Sequence, residues 1–335
     1  MLKKLIILLF ATLMVFGSSW AEQEKKGVLS PAGPPAPSAQ LVKVGFYPVS
    51  VYELEMGSNT YYVDMYVWMR WKGDVDPTSS IEFTNMVEEW GKQQESLLEK
   101  PKVLADGSNY KIMRVEGRFV QPFNLANYPL DQQKLSIMVE DSVNTADAVY
   151  YEVDKENSGI GSKLQIPGWS LQGWSSKTYQ HDYGSSLGDD STPSLYSAAE
   201  FSLNIERPIS FFYWKLLMPL FIVLMAALAS LFLSPTNIDA RTGLPAGALL
   251  TAIFLQKSYS DGLPDLGYLI LMDQIYLVAY TLIVATLIRA IYSFQKASDA
   301  STTLLKKMAR SDRLILFILL STFVMAATVL VLIHQ

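Results

Sequence analysis

The stretch from Asp239 to Asp261 reads DARTGLPAGALLTAIFLQKSYSD. It is too apolar for a surface loop and too broken by Gly, Pro and polar residues for a plain lipid-facing span. Set out at the helical step, Asp239, Gly243, Gly247, Leu250, Phe254, Lys257 with Ser258, and Asp261 share one face. Leu249, Ile253 and the neighbouring Ala and Leu positions fall largely elsewhere. The stripe therefore runs from an acid, through small residues and two large apolar ones, to polar residues and a second acid. A lone helix in lipid gains nothing from that order. A ring of identical helices gains a passage with charge at its ends, no bulky side chain low down, and an apolar constriction that can dewet. Small residues equally serve close packing between membrane helices, and the stretch by itself leaves both readings open.

Composition narrows the field. Of 335 residues, 50% are hydrophobic and 12% aromatic, more than a soluble domain carries and less than an all-membrane protein needs. A net charge of −5 offers no basic surface to nucleic acid. With no cysteine there is no disulfide framework and no thiolate site. His181 and His334 lie far apart, which argues against a His-rich metal site within one chain; acids in the N-terminal half leave a divalent site open but unassigned. No phosphate-binding Gly loop, His–carboxylate metal spacing or serine-centred nucleophile motif is present, so neither an enzyme nor a cofactor is expected.

Residues 1–21 read as a secretory signal: Lys3 and Lys4, an apolar run from Leu5 to Phe16, then the small-x-small site Ser19-Trp20-Ala21. Residues 22–40, charged and then rich in Pro, Ala and Ser, read as a linker with no core of its own. Residues 41–208 alternate apolar and polar in short runs such as Val42-Val44-Phe46 and Tyr62-Asp64-Tyr66-Trp68, separated by Gly, Asn, Asp and Ser turns. That pattern predicts an all-β sandwich, with one short helix placed within Ile81 to Glu99.

Residues 209–335 predict a four-helix transmembrane domain, with spans over about 213–233, 240–259, 266–292 and 312–333. Phe294 to Arg313 reads as a polar connector. Pro245 suits a first helical position, which would leave Arg241 to Leu244 irregular. Arg289, Lys296, Lys306, Lys307, Arg310 and Arg313 cluster around the last connector and assign that side to the cytoplasm. The sandwich is then expected outside a bacterial inner membrane, with the lipid bilayer around the spans.

A secreted sandwich followed by four spans, the second with a charged and apolar stripe, resembles the pentameric ligand-gated ion channels, the Cys-loop receptor superfamily, and within it the prokaryotic branch that lacks the loop cysteines. Tyr128-Pro129-Leu130-Asp131-Gln132-Gln133 is similar to the family's aromatic-Pro-apolar-Asp-x-Gln loop, and its two cysteine positions would fall at Gln121 and Leu135. Asp64-x-Tyr66-x-Trp68-x-x-Trp71 resembles its second strand, Arg207 and Pro219 its first-span landmarks, and Leu263-Pro264 its link between the second and third spans.

The resemblance implies a homopentamer whose second helix lines a pore, opened by a small-molecule agonist or by protons. Asp239 would form a ring of carboxylates at the inner mouth, Gly243 and Gly247 a wide lower pore, and Leu250 and Phe254 an apolar gate. Lys257 opposes cation entry if it faces the axis and does not if it snorkels away, with Asp261 beyond it. A carboxylate ring in a narrow mouth outweighs a flexible amine in a wider vestibule, so monovalent cations are the expected permeant ions. Anion selectivity and a non-conducting membrane sensor are the alternatives. Pro129, Asp131, Arg207 and Pro264 are assigned to coupling, with Glu53, Glu55 and Glu140 as further acids in reach of Arg207. Trp169, Tyr179, His181, Tyr183 and Tyr196 are assigned to an aromatic agonist site under a hairpin lid, with Asp182, Asp189 and Asp190 making the lid acidic and His181 available as a proton sensor.

Overall fold

The structure is a computed structural model that describes residues 29–184, 195–297 and 301–334. The expected signal segment and the acids Asp189 and Asp190 lie outside the described residues. Among the described residues, twelve strands follow in chain order: β1 (Leu29–Pro31), β2 (Gln40–Glu55), β3 (Thr60–Trp71), β4 (Ile81–Phe83), β5 (Met86–Val87), β6 (Gln93–Ser96), β7 (Lys102–Val103), β8 (Asn109–Val120), β9 (Gln132–Asp141), β10 (Val149–Val153), β11 (Ser170–Asp182) and β12 (Leu195–Glu206). One sheet has the order β1-β11-β12-β9-β4; the other runs β10-β2-β3-β8-β5, with β6 and β7 also on β8. The alternation in β2 explains the layering. Val42, Val44 and Phe46 point into the sandwich while Leu41, Lys43 and Tyr47 face out. Phe201 of β12 closes the two layers, with its ring centroid 5.6 Å from Phe46 and 5.0 Å from Trp174. Trp174 is thereby a half-buried residue packed on the core.

Two expectations need correction here. The Pro-rich segment is not wholly a linker, because Leu29–Pro31 pairs antiparallel with Tyr179–His181. No α-helix forms within residues 81–99. Those residues give β4 on β9, β5 and β6 on β8, and a 3-10 turn at Glu89–Gly91. The long partner strands offer unpaired main chain along their edges, and that outweighs the weak helical preference of so short a segment.

Among the described residues, four helices are long and apolar enough to cross a membrane: α1 (Phe211–Phe232), α2 (Ile238–Ser260), α3 (Leu271–Ala297) and α4 (Thr302–Ile333). The chain is a multi-pass membrane protein. Most of the polar connector is helical, since α3 runs on to Ala297 and α4 begins at Thr302, capped by the Ser301 side chain accepting from the Leu304 N–H. Pro245 does not start α2. Asn237 caps the helix by accepting from the Ala240 N–H, and Arg241 to Leu244 are helical with Pro245 inside. An Asn cap eight residues earlier sets the start, and the helix runs on through the proline without the bond its missing N–H would have made.

Candidate functional site

The buried face of α2 is Arg241, Pro245, Ala248, Ala252 and Tyr259, which pack against α1 and α3. The opposite face carries the stripe. Asp239, Gly243, Gly247, Leu250, Phe254, Lys257 and Asp261 are all exposed in the single subunit, Leu250 at 56% and Phe254 at 65%. A Cβ added at Gly243 or Gly247 would meet nothing within 4 Å. The glycines therefore do not serve packing within the subunit, which was the bland explanation for them. Lys257 lies on this same face and reaches the Asp261 carboxylate at 2.5 Å, one helical turn on. Its charge is balanced in place.

At the sandwich end, Arg207 closes onto Asp131. Its Nε donates to Asp131 Oδ1 at 2.8 Å and its Nη2 lies 3.5 Å from Oδ2, while the Arg207 N–H donates to the Asp131 carbonyl at 3.2 Å. Gln133 Nε2 donates to the other carboxylate oxygen at 2.8 Å. The side chains are only 10% and 1% exposed. The guanidinium also sits 4.2 Å from the Trp169 ring, 4.9 Å from Tyr128 and 5.3 Å from Phe211.

The loop bearing Pro129 then grips the helices. The Leu271 and Met272 N–H groups donate to the carbonyls of Ala126 and Tyr128, and the Tyr128 ring stacks 6.1 Å from that of Tyr259 at the end of α2. Tyr259 in turn donates to Asp273 of α3 at 2.6 Å. Pro264 is half-buried in the α2–α3 link, and Gly57 in the β2–β3 turn lies against the Gly262 carbonyl. Glu53 and Glu55 do not serve Arg207; both face Arg118.

The other end of β11 holds a second cluster. Glu140 of β9 is buried, and His181 Nδ1 lies 3.0 Å from its Oε2 while the Tyr183 hydroxyl donates to its Oε1. The His181 and Tyr183 rings are 4.0 Å apart, and Tyr196 meets Tyr183 edge-on at 5.7 Å. Burial, then the bond to Glu140, holds the Tyr183 hydroxyl well above the usual tyrosine range, so it stays a donor. On the adjacent strand β12, two residues along from the register partner of Glu140, burial pushes Glu200 up. Lys177 at 2.8 Å and the hydroxyls of Ser136 and Ser202 outweigh that and hold it below the ordinary carboxylate range.

Two assignments to the aromatic site change. Trp169 precedes Ser170, which pairs with Glu206 at the membrane end of β11, whereas Asp182 pairs with Leu195 at the other. At ~3.3 Å per residue the strand separates Trp169 from Tyr183 by roughly 40 Å, beyond any shared small ligand. Tyr179 is 3% exposed, with Lys177 over its ring, and presents no free face. On the other sheet, a cleft of about 500 Å³ is lined by Tyr47, Tyr66, Trp68, Arg70, Tyr110 and Asp154 among others, with Trp68 Nε1 donating to Asp154 at 3.1 Å.

No family model matches the chain. Individual relatives do. A proton-gated ion channel of Gloeobacter violaceus is 22% identical over 273 residues, 76% of this chain and 72% of that protein. An acetylcholine-gated chloride channel subunit of Caenorhabditis elegans is 26% identical over 182 residues, 54% of this chain, and a glutamate-gated chloride channel of Drosophila melanogaster 23% over 168 residues, 50% of it. The matched stretches make up 38% and 35% of those two animal proteins. The chain is a homologue of the pentameric ligand-gated ion channels.

The sequence anticipated the exposed stripe of α2 and the Arg207–Asp131 pair, but it did not show where Glu140, Asp154, Tyr110 and Asp312 lie. Glu140 meets His181 and not Arg207, because alternation along β9 turns it to the sheet face on which His181 of β11 lies, one strand beyond β12. Asp154 and Tyr110 come together only when strands from separate parts of the chain form one sheet. Asp312, buried between helices, carried only a local signal: one acid in a run of otherwise basic and apolar residues.

Proposed function

We propose that the chain forms a homopentameric, cation-selective channel of a bacterial inner membrane, with the sandwich on the periplasmic side, opened by a proton or a small cationic agonist at the His181–Glu140 cluster. The observation that carries the pore reading is the free face of α2. An acid, two glycines that touch nothing and two large apolar side chains stay exposed opposite the face that buries Arg241, Pro245, Ala248, Ala252 and Tyr259, and such a face suits identical helices around an axis. Gating is a tilt or twist of α2 that widens the Leu250 and Phe254 rings.

In a head-to-tail ring each subunit turns unlike faces to its neighbours. The Glu140 cluster lies on one sheet and the aromatic cleft with Asp154 on the other, so ring closure would set Tyr183 and Tyr196 opposite Tyr66, Trp68 and Tyr110. Aromatic faces with a buried carboxylate on each side suit an amine. For protons, the proposed acceptor is His181, whose Nδ1 lies 3.0 Å from the Glu140 carboxylate. It faces Glu140 on β9 and Tyr196 on β12, with Glu82 of β4 across from Glu140. Glu200 stays ionised there, because a lowered carboxylate gains its proton only at acid pH.

Chloride-channel relatives favour anion selectivity as a second reading. Against it stands the Lys257–Asp261 pair, which cancels the outer charge and leaves Asp239 as the unbalanced ring.

The test is current from the purified chain in a planar bilayer under a salt gradient, first across a pH series and then with a panel of amines. The expected result is current on stimulus that reverses toward the cation potential, with the response to that stimulus lost in Glu140→Gln. Reversal toward the anion potential selects the second reading, and an unchanged response in Glu140→Gln removes the cluster from the trigger. Gly247→Ala provides a separate check on the pore. It should raise helix stability by ~1 kcal/mol while lowering single-channel conductance. A fall in thermal stability with conductance unchanged would return the glycine to packing.

A further inference from the structure

The pore reading leaves unexplained what points Asp239 into the lumen. Asp239 lies in the first turn of α2, two residues before Arg241 and so on roughly the opposite side of the helix. Pro245 removes the main-chain bond to the Arg241 carbonyl, so the foot of the helix is tied to the rest by one bond fewer than usual. The compensation is a side chain. Arg241 is fully buried, and its Nη2 donates to Asp312 Oδ2 of α4 at 2.6 Å; Asp312 is likewise 0% exposed. The other oxygen of Asp312 accepts from Arg289 Nε of α3 at 2.7 Å, with Arg289 Nη2 2.6 Å away, and the Ser293 hydroxyl lies 3.1 and 3.3 Å from the two oxygens. One carboxylate thus ties the foot of α2 to both α3 and α4.

We infer that Arg241, anchored on Asp312, is a positioning residue for ion selectivity: it sets the rotational phase of the first turn of α2 and thereby aims the Asp239 ring at the permeating ion. This rests on the proposed role of Asp239. Turning α2 to carry Asp239 out of the lumen would pull Arg241 off Asp312 and strand a buried charge within the helix bundle, which is strongly opposed. The clamp constrains the phase of the foot and not of the far end, where α2 meets Tyr128, so the gate moves while the filter stays aimed.

The experiment measures reversal potentials under a potassium chloride gradient in the full chain carrying Leu250→Ser, so that current does not depend on a stimulus. Asp239→Asn reports the filter itself. Arg241→Met removes only the tie to α2, because Asp312 keeps Arg289 and Ser293. Arg289→Gln leaves the Arg241–Asp312 bond in place. The expected result is a several-fold loss of potassium over chloride preference in Arg241→Met, at least half of that in Asp239→Asn, with Arg289→Gln at the parental value. Parental reversal in Arg241→Met beside a shifted Asp239→Asn overturns the inference and leaves the filter standing. An equal shift in Arg289→Gln overturns it too, since the effect would not be specific to the tie. If Asp239→Asn does not shift, the filter reading fails and takes the inference with it. Should Arg241→Met not reach the membrane, Arg241→Lys keeps the charge on a shorter side chain that reaches Asp312 less closely and is read in its place; an intermediate reversal supports the clamp, and a parental one overturns it.

Discussion

Leu250→Ser is expected to conduct in the absence of any stimulus. Leu250 is the first large side chain above the two glycines on the free face of α2, with Phe254 one turn on. In the proposed ring the two positions form adjacent apolar collars, and an ion crossing them must shed water against surfaces that return no hydrogen bond. A hydroxyl at Leu250 wets the lower collar and removes most of that barrier. The change is also benign for the subunit, because the side chain is 56% exposed and leaves no core cavity. The measurement is holding current in a bilayer at a fixed gradient, before any pH step or amine. A silent variant, shown by surface labelling to be in the membrane, would displace Leu250 from the gate. Silence of the parent as well, under every stimulus, would favour a non-conducting sensor.

Arg207→Gln should abolish the response to stimulus. The pair it breaks is almost solvent-free and leaves Asp131 as a buried carboxylate short of its cation. Removing one partner of such a pair costs about 3–5 kcal/mol. It also releases the guanidinium that Trp169, Tyr128 and Phe211 surround, so the loop that stacks Tyr128 on Tyr259 loses its anchor to the strand leaving the sandwich. Loss of folding and loss of coupling are separable by placing the change in the Leu250→Ser background. Constitutive current that no longer responds to the stimulus identifies uncoupling. Current that still responds as in Leu250→Ser alone removes Arg207 from the route between sandwich and pore.

The mutual reach of these effects depends on which links the sequence could show. The α2 stripe was legible because a helix maps sequence spacing onto one face directly: residues three or four apart are neighbours whatever surrounds them. Arg207 and Asp131 were legible through a resemblance in motif order. The same logic failed for Trp169. It stands in an aromatic, turn-flanked segment like that of a ligand wall, yet the register of β11 on β12 delivers it to the membrane end. Pro245 shows a different limit. Local preference allowed a helix start there, but the Asn237 cap and the packing of Arg241 and Pro245 on the neighbouring helices carry the helix through it.

By itself, then, the sequence determined the elements and their faces: a sandwich from period-2 alternation, four spans from apolar length, and a helix with one face unsuited to lipid. Each follows from chemistry within a window of a few residues to a few turns. The tertiary structure alone decided the partners. Glu140 with His181, Trp169 with Arg207, Asp154 with Trp68 and Arg241 with Asp312 are separated by 41, 38, 86 and 71 residues, and no local spacing encodes them. They meet because strand register and helix packing bring distant charges into places where water is excluded, and there a buried charge has to find its counterpart.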